Sequence, residues 1–66
     1  MKNTIKVQRA IKDFTQDDLA KEIGVSRQTI NSIEKGRYVP STLLALKLSR
    51  VFGISVNAFF ELESDD

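Results

Sequence analysis

Residues 15–36 read TQDDLAKEIGVSRQTINSIEKG and hold the clearest structural signals in this 66-residue chain. Thr15 is a hydroxyl N-cap with Asp18 three residues on, close to the capping-box pattern, and this predicts a helix over Gln16–Ile23. Gly24 follows, and glycine readily adopts the left-handed conformation with which helices often end. The first half of the stretch therefore predicts a short, well-capped helix that leads into a tight turn.

The second half of the stretch predicts another short helix. Ser26 is its N-cap, Arg27–Lys35 is its body, and Gly36 ends it in the same way as the first. A helix, a short glycine-containing turn and a second helix form the arrangement that presents its second helix to the DNA major groove. Because the same spacing also describes a plain helical hairpin, the functional argument depends on the exposed residue types.

The remaining chain predicts three more helices around these two. The first covers Thr4–Lys12 with Asn3 or Thr4 at its cap, and the fourth covers Thr42–Phe52 between Ser41 and Gly53. Ser55 caps a last short helix that contains Val56, Phe59 and Phe60. The positions predicted to face inward are Leu19, Ala20, Ile23, Val25, Ile30, Ile33, Leu44, Ala45, Leu48 and Phe52. On the first helix Ile5, Arg9 and Lys12 share one stripe, while Val7, Ala10, Ile11 and Phe14 suggest another. We expect one all-α domain of five helices over residues 1–66.

The amino-acid composition argues against several classes of function. The chain has no Cys and no His, so it has no disulfide framework, no evident zinc site and no usual enzymatic nucleophile–base pair. No apolar run matches a signal peptide or a membrane span, and we expect a cytoplasmic protein that needs no metal or cofactor and is not an enzyme. The net charge is +1, but four of the nine acidic residues lie in residues 61–66. This basic body with an acidic tail suits a polyanionic partner, although a frayed, solubilising tail is the simpler interpretation.

The exposed residues of the second motif helix have the chemistry of base recognition. Arginine can donate two parallel hydrogen bonds to guanine, and glutamine or asparagine can pair with adenine. The candidates for base contacts are Arg27, Gln28, Asn31 and Ser32. An ordinary solvated helix face is the alternative for this set.

A second group of polar residues flanks the same helix and suits the DNA backbone. Gln16 lies at the first position of its helix, where free backbone N–H groups can hold a phosphate oxygen. The full set of phosphate candidates is Gln16, Lys35, Arg37, Tyr38, Ser41 and Thr42. Each alone is as consistent with a plain surface residue, but their grouping around one helix favours nucleic acid.

Residues 15–41, TQDDLAKEIGVSRQTINSIEKGRYVPS, resemble the Cro and phage-repressor type of helix-turn-helix regulators, also called the XRE family. Weaker resemblance extends from Ile5 to Phe60 and implies a lambda-repressor-like fold. The resemblance implies that Gln16 is a phosphate ligand, that Arg27, Gln28 and Asn31 face bases, and that Arg9 and Glu34 form a structural brace between helices. Gln8 and Thr42 depart from the family pattern, which often has apolar residues there.

The resemblance also implies double-stranded DNA as partner and a homodimer that represses from a palindromic operator. For the dimer seam we expect Val56, Phe59 and Phe60, since the family commonly pairs its C-terminal helices. No small-molecule ligand or membrane partner is implied. An antitoxin-type regulator that also binds a partner protein is the alternative function, and a pure protein-interaction module is a third.

Overall fold

The computed structural model describes all 66 residues, which form four α-helices and a small two-stranded sheet. In chain order the elements are strand β1 (Lys2–Asn3), helices α1 (Ile5–Lys12), α2 (Gln16–Ile23), α3 (Arg27–Glu34) and α4 (Thr42–Phe52), a single 3-10 turn (Val56–Ala58) and strand β2 (Phe60–Glu61). The strands are antiparallel, with Lys2 opposite Glu61 and Asn3 opposite Phe60. The sheet therefore joins the two ends of the chain beside the helices.

Side-chain caps start three of the helices, as the sequence predicted. The hydroxyl oxygens of Thr15, Ser26 and Ser41 each accept a hydrogen bond from the backbone N–H three residues on. At α2 the Asp18 carboxylate also accepts from the Thr15 backbone N–H at 2.9 Å, which completes a capping box. Each cap satisfies a backbone donor that the first helical turn leaves free.

Ten apolar side chains form the core, contributed by every helix and by the C-terminal segment. They are Ile5, Leu19, Ala20, Ile23, Ile30, Ile33, Leu48, Phe52, Phe59 and Phe60. Five of them lie on α2 and α3, so the two motif helices are held against the rest of the fold by their apolar faces. The Phe52 and Phe59 rings meet edge to face with centroids 5.3 Å apart, which fixes the C-terminal segment on α4.

The prediction of a fifth helix was wrong. After Gly53 the chain makes only the 3-10 turn Val56–Ala58 and then extends into β2. Extension at Phe60 lets its backbone pair with β1 while its side chain, together with that of Phe59, enters the core. A helix through these residues would forfeit the strand pairing.

Helix α1 is less deeply buried than its apolar content suggested. Of its residues only Ile5 is buried, whereas Val7 and Ile11 are 55% and 70% exposed. Its N-terminus is capped by Asn3, whose Oδ1 accepts from the Ile5 N–H at 3.2 Å, and Thr4 makes no side-chain cap. The stripe through Ile5 and Arg9 is therefore the one that faces the fold.

The acidic tail is ordered rather than frayed. Glu61 belongs to β2, and the carboxylates of Glu63 and Asp66 lie 3.1 and 3.2 Å from the Met1 amino group. The hydrogen bonds that this amino group donates, first to Glu63 and then to Asp66, raise its pKa above the ordinary value. Lys2 Nζ also lies 3.8 Å from Glu61 Oε1, so three of the four acidic residues near the C-terminus are paired with the start of the chain.

Candidate nucleic-acid interface

The start of α3 is an exposed, rigidly capped helix end. Ser26 Oγ accepts from the Thr29 N–H at 3.1 Å and lies 2.9 Å from the Thr29 hydroxyl, so that hydroxyl is turned back toward the cap. Arg27 and Gln28, the first two helical residues, are left exposed. Both candidates for base contacts at this end therefore lie exposed on a fixed backbone.

The opposite face of α3 holds the helix in position. Ile30 and Ile33 are each 1% exposed and are packed in the core, so α3 cannot rotate about its axis without exposing them. Asn31 and Ser32 lie one turn beyond Arg27 and Gln28 and are half-buried. Residues at a spacing of three to four share one helix face, so these four side chains form a single polar surface.

The turn between α2 and α3 sets the angle at which this surface is presented. Gly24 ends α2 with φ of 74°, a left-handed conformation, and the Val25 N–H donates to the Ala20 carbonyl at 2.9 Å. The Gly24 conformation would strain any residue with a Cβ. The turn is therefore short and specific, as the helix-turn-helix arrangement requires.

A polar network connects α1, α2 and α3 at the edge of the surface. Arg9 donates from Nε to Glu34 Oε2 at 2.6 Å and from Nη2 to Glu34 Oε1 at 3.2 Å, a bidentate ion pair between α1 and α3. A third Arg9 bond, from Nη1 to the Phe14 carbonyl at 3.0 Å, ties in the α1–α2 turn. The two charges are largely shielded from solvent, with the Glu34 side chain only 9% exposed. Removing either partner would leave a charge without its counter-ion.

The Gln16 side chain lies inside this network rather than free at the surface. Its Nε2 donates to Asn31 Oδ1 at 3.3 Å and to Glu34 Oε1 at 3.2 Å, and its Oε1 faces Arg27 Nε at 3.5 Å. An amide nitrogen has two hydrogens, so both are already used within the protein. The predicted phosphate bond from this amide would require one of them to be released, whereas the backbone N–H groups of Gln16 and Asp17 remain available.

The other end of α3 contains the remaining phosphate candidates. Gly36 adopts φ of 73°, its N–H donates to the Ile33 carbonyl, and the Arg37 N–H donates to the Ser32 carbonyl, which together form a Schellman motif. The motif turns the chain sharply, leaving Lys35 and Arg37 exposed and Tyr38 43% exposed. Tyr38 lines a shallow depression together with Gln28 and Ser32, so it borders the polar surface of α3.

Ser41 and Thr42 lie further along, at the start of α4. Both are exposed, and Ser41 Oγ accepts from the Leu44 N–H at 3.2 Å, which leaves its hydroxyl hydrogen free to donate. No recorded contact joins these two hydroxyls to α3.

Two residues of this surface were missed by the sequence reasoning. An open depression beside α3 is lined only by polar side chains: Asn3, Lys6, Arg9, Gln16, Asn31, Glu34 and Lys35. Lys6 lies three residues before Arg9 and therefore shares its helix face, a spacing that could have identified it. Asn3 gave no such signal, because it precedes the helix.

Comparison with known proteins identifies the arrangement. The sequence profile of the helix-turn-helix family matches residues 5–59. The chain is 52% identical, over the full length of both, to the uncharacterized HTH-type transcriptional regulator MJ0272 of Methanocaldococcus jannaschii. It belongs to the Cro and phage-repressor type, or XRE, family of helix-turn-helix regulators.

Solved structures agree with the assignment to the XRE family. The restriction-modification controller protein C.AhdI from Aeromonas hydrophila superposes with a TM-score of 0.76 at 27% identity, over 85% of each chain. A complex of SinR protein with SinI protein contains a chain that matches with a TM-score of 0.77 at 30% identity, over 92% of this chain and 65% of that one. This XRE protein is therefore a transcriptional regulator with a helix-turn-helix DNA-binding fold, in which α3 takes the place of the recognition helix.

In the single chain of this XRE protein, two residues of the predicted dimer seam lie in the core. Phe59 and Phe60 are 2% and 8% exposed because they complete the core of the single chain, and Val56 packs against the same core. Phe59 and Phe60 therefore have little apolar area left to bury against a second chain, whereas Val56 is partly exposed. The exposed apolar residues lie elsewhere, including Leu43 and Leu46 on α4.

Neither a metal-binding cluster nor a membrane-spanning helix is present in this XRE fold. It contains no group of three or more His, Cys, Asp or Glu residues placed to hold a metal ion. None of its helices combines the length and hydrophobicity needed to cross a bilayer.

Proposed function

We propose that this protein is a sequence-specific, double-stranded DNA-binding transcriptional repressor that acts in the cytoplasm as a homodimer on a palindromic operator. The observation that carries the proposal is the exposed Arg27–Gln28 pair at the capped start of a helix whose opposite face is fully buried. A rigid helix end with an arginine and a glutamine at its tip suits direct reading of base edges.

The base contacts are assigned to α3. Arg27 and Gln28 enter the major groove first, with arginine suited to guanine N7 and O6 and glutamine to adenine N6 and N7. Asn31 and Ser32, one turn along, reach further bases or the sugar edge. This order follows from their places on the helix, since the N-terminal residues of a recognition helix lead into the groove.

The phosphate contacts are assigned to both sides of α3. The backbone N–H groups at the start of α2, near Gln16, hold a phosphate on one side, where the helix dipole also favours an anion. Lys35, Arg37 and Tyr38 hold the backbone on the other side, with Ser41 and Thr42 as hydroxyl donors further out. Because such contacts neutralise phosphates, affinity should fall steeply as salt rises.

The homodimer is assigned to α4 instead of the C-terminal phenylalanines. Leu43 and Leu46 are 62% and 58% exposed, and their spacing of three places them on one helix face. A dimer must hold its two α3 helices roughly 34 Å apart for them to enter successive major grooves on one side of DNA. Repression follows when the bound dimer occupies a promoter and blocks polymerase.

The test is selection from a random duplex library at fixed salt, followed by sequencing. A palindromic motif is expected, and its half-site spacing reports the dimer geometry. No enriched motif would contradict sequence-specific binding, whereas a motif without two-fold symmetry would contradict the homodimer alone.

Gln28→Ala should cost about 1–3 kcal/mol on the selected site and relax the base preference at one position. Arg37→Ala is the matched control, because loss of a phosphate contact should weaken all sequences alike and reduce the salt slope by about one. If Gln28→Ala selected the same DNA motif as the wild type, Gln28 would not be a base-contacting residue.

A second candidate function adds a partner protein that modulates DNA binding, as in antitoxin-type regulators. The observation in its favour is the similarity to SinR, which was solved in complex with SinI. Size-exclusion chromatography of the protein co-expressed with the products of neighbouring genes tests this. A stable complex that no longer binds the selected duplex would support it.

A further inference from the structure

The charged pair Arg9–Glu34 reaches the base-reading surface through two amide groups. Glu34 Oε1 accepts from Gln16 Nε2 at 3.2 Å, and the same Nε2 donates to Asn31 Oδ1 at 3.3 Å. The contacts run from a shielded carboxylate on α3, through a side chain of α2, and back to a proposed base-reading residue of α3.

The chemistry of each partner fixes the direction of this sequence of bonds. An ionised carboxylate can only accept hydrogen bonds, so the Gln16 atom that faces Glu34 must be the amide nitrogen. The same orientation turns Gln16 Oε1 toward the Arg27 Nε donor, so both ends of the amide favour it. Because a nitrogen donor faces Asn31, the Asn31 atom opposite it must be the oxygen.

The remaining Asn31 group is then a free donor. Asn31 Nδ2 makes no hydrogen bond within the protein, and the residue lines an open, wholly polar depression at the edge of the proposed interface. If Gln16 and Asn31 turned their amides over, Gln16 Oε1 would face the Glu34 carboxylate and two acceptors would oppose each other.

We infer that Glu34 is a positioning residue for base recognition: through Gln16 it holds the Asn31 amide with its nitrogen outward, so that Asn31 reads a hydrogen-bond acceptor on the DNA. This inference rests on the proposed function and adds the class of base group that Asn31 selects. Guanine presents two acceptors in the major groove, and adenine and thymine present one each, whereas cytosine presents only its N4 donor. At the position read by Asn31, any base with an acceptor is favoured and cytosine is excluded.

The inference gives the Arg9–Glu34 pair a second effect besides joining α1 to α3. Arg9 donates one hydrogen bond to each carboxylate oxygen of Glu34, at 2.6 and 3.2 Å. These two bonds keep the carboxylate in one orientation. It also assigns the Gln16 side chain a role different from that of a phosphate ligand, because both of its amide hydrogens are engaged by protein acceptors.

The experiment measures relative affinity for all four bases at each operator position, at fixed salt, for the wild type, Glu34→Gln and Gln16→Ala. Glu34→Gln keeps the shape of the side chain but lets the Gln16 amide turn over. Gln16→Ala leaves the Arg9–Glu34 pair intact and removes the link to Asn31. Both variants should lose about fivefold to tenfold of the discrimination against cytosine at one and the same position.

The same two substitutions are also made in a protein that carries Asn31→Ala, which makes the test specific for Asn31. If Glu34 and Gln16 act through Asn31, neither substitution should change that base preference further once Asn31 is alanine. A uniform loss of affinity for all sequences in Gln16→Ala would overturn the inference and return Gln16 to the phosphate ligands. A uniform loss in Glu34→Gln would leave Glu34 as a structural brace only.

A measurement without DNA separates this inference from the proposed function. In NMR spectra of the free protein, the side-chain NH₂ signals of Gln16 and Asn31 should both shift in Glu34→Gln, and those of exposed Asn57 should not. Unchanged signals would overturn the orienting role of Glu34. A wild type that selects no motif would instead overturn the proposed function and, with it, base reading by Asn31.

Discussion

At the residue scale, Thr15 and Asp18 show how two side chains set the start of a helix. Thr15 Oγ1 accepts from the Asp18 N–H at 3.0 Å, and Asp18 Oδ2 accepts from the Thr15 N–H at 2.9 Å. The bond from the Thr15 backbone, followed by that from its hydroxyl, holds the pKa of Asp18 below its ordinary value of 3.8. Since this pair begins α2, it also fixes the position of Gln16.

The lowered pKa of Asp18 predicts a pH dependence of stability. Because the pKa is lower in the folded than in the unfolded chain, ionisation of Asp18 stabilises the fold above pH 3.8, and this contribution is lost as the pH falls through the folded value. Asp18→Asn should therefore lower the urea midpoint at neutral pH. The difference from the wild type should shrink when the pH is well below 3.8.

Asp17→Asn is the matched control, since Asp17 lies in the same first turn but makes no hydrogen bond to Thr15. It changes the net charge and the helix-dipole interaction by the same amount as Asp18→Asn. Equal effects of the two substitutions at neutral pH would attribute the stabilisation to the dipole rather than to the cap.

Residue-scale signals also explain which parts of the fold were predictable. The caps at Thr15, Ser26 and Ser41 act within four residues, so the bounds of α2 and α4 followed from the sequence and α3 differed only by Lys35 at its end. The Gln16 contacts with Asn31 and Glu34 join residues 15 and 18 positions apart. Such contacts depend on how two helices pack against each other, and this packing cannot be predicted from a local sequence pattern.

At the element scale, the β1–β2 pair is the feature that the sequence did not predict. Each strand has two residues, too few for a visible alternation, and the register pairs Lys2 with Glu61 across nearly the whole chain. The apolar pair Phe59–Phe60 therefore indicated a helix. In the folded chain, an extended backbone at Phe60 allows the side chain to be buried in the core and the backbone to pair with β1. This is apparent only once the rest of the core is in place.

Asn3 connects this sheet to α1 and α3, and its loss should destabilise the whole fold. Its Nδ2 donates to the Ile33 carbonyl at 2.9 Å while its Oδ1 caps α1 through the Ile5 N–H. We expect Asn3→Ala to lower the free energy of unfolding by about 1–3 kcal/mol, since partly buried backbone groups lose their partner. Urea denaturation followed by circular dichroism measures this.

Asn57→Ala is the control for Asn3→Ala. Asn57 is exposed on the 3-10 turn and makes no recorded hydrogen bond, so its replacement should change stability by less than about 0.5 kcal/mol. If the two substitutions cost the same, the bridge through Asn3 would contribute nothing to stability.

At the scale of the whole molecule, four of the exposed apolar residues form two pairs on different helices. Val7 and Ile11 lie one turn apart on α1, and Leu43 and Leu46 lie one turn apart on α4. We assign the dimer to the α4 set because the resemblance that suggested a dimer involves the C-terminal half of the fold. Phe59 and Phe60, which residue type alone placed in the seam, are buried in the core of the single chain.

Leu43→Lys combined with Leu46→Lys should yield a folded monomer. Opposing lysines would meet across the interface, while the core, to which neither leucine belongs, stays intact. Sedimentation velocity should report half the wild-type mass, and affinity for a palindromic duplex should fall by roughly 100-fold as the link between half-sites is lost.

Val7→Lys combined with Ile11→Lys adds the same charge to α1 and should leave the dimer unchanged. A monomer from the α1 pair and a dimer from the α4 pair would move the interface to α1.

One consequence follows from the position of Tyr38. The chain has one tyrosine and no tryptophan, and that tyrosine borders Gln28 and Ser32 beside the proposed interface. Intrinsic fluorescence of the unmodified protein therefore comes almost entirely from one reporter at the edge of the recognition surface. Titration with duplex can be followed optically without attaching a dye, and the signal arises where the two molecules meet.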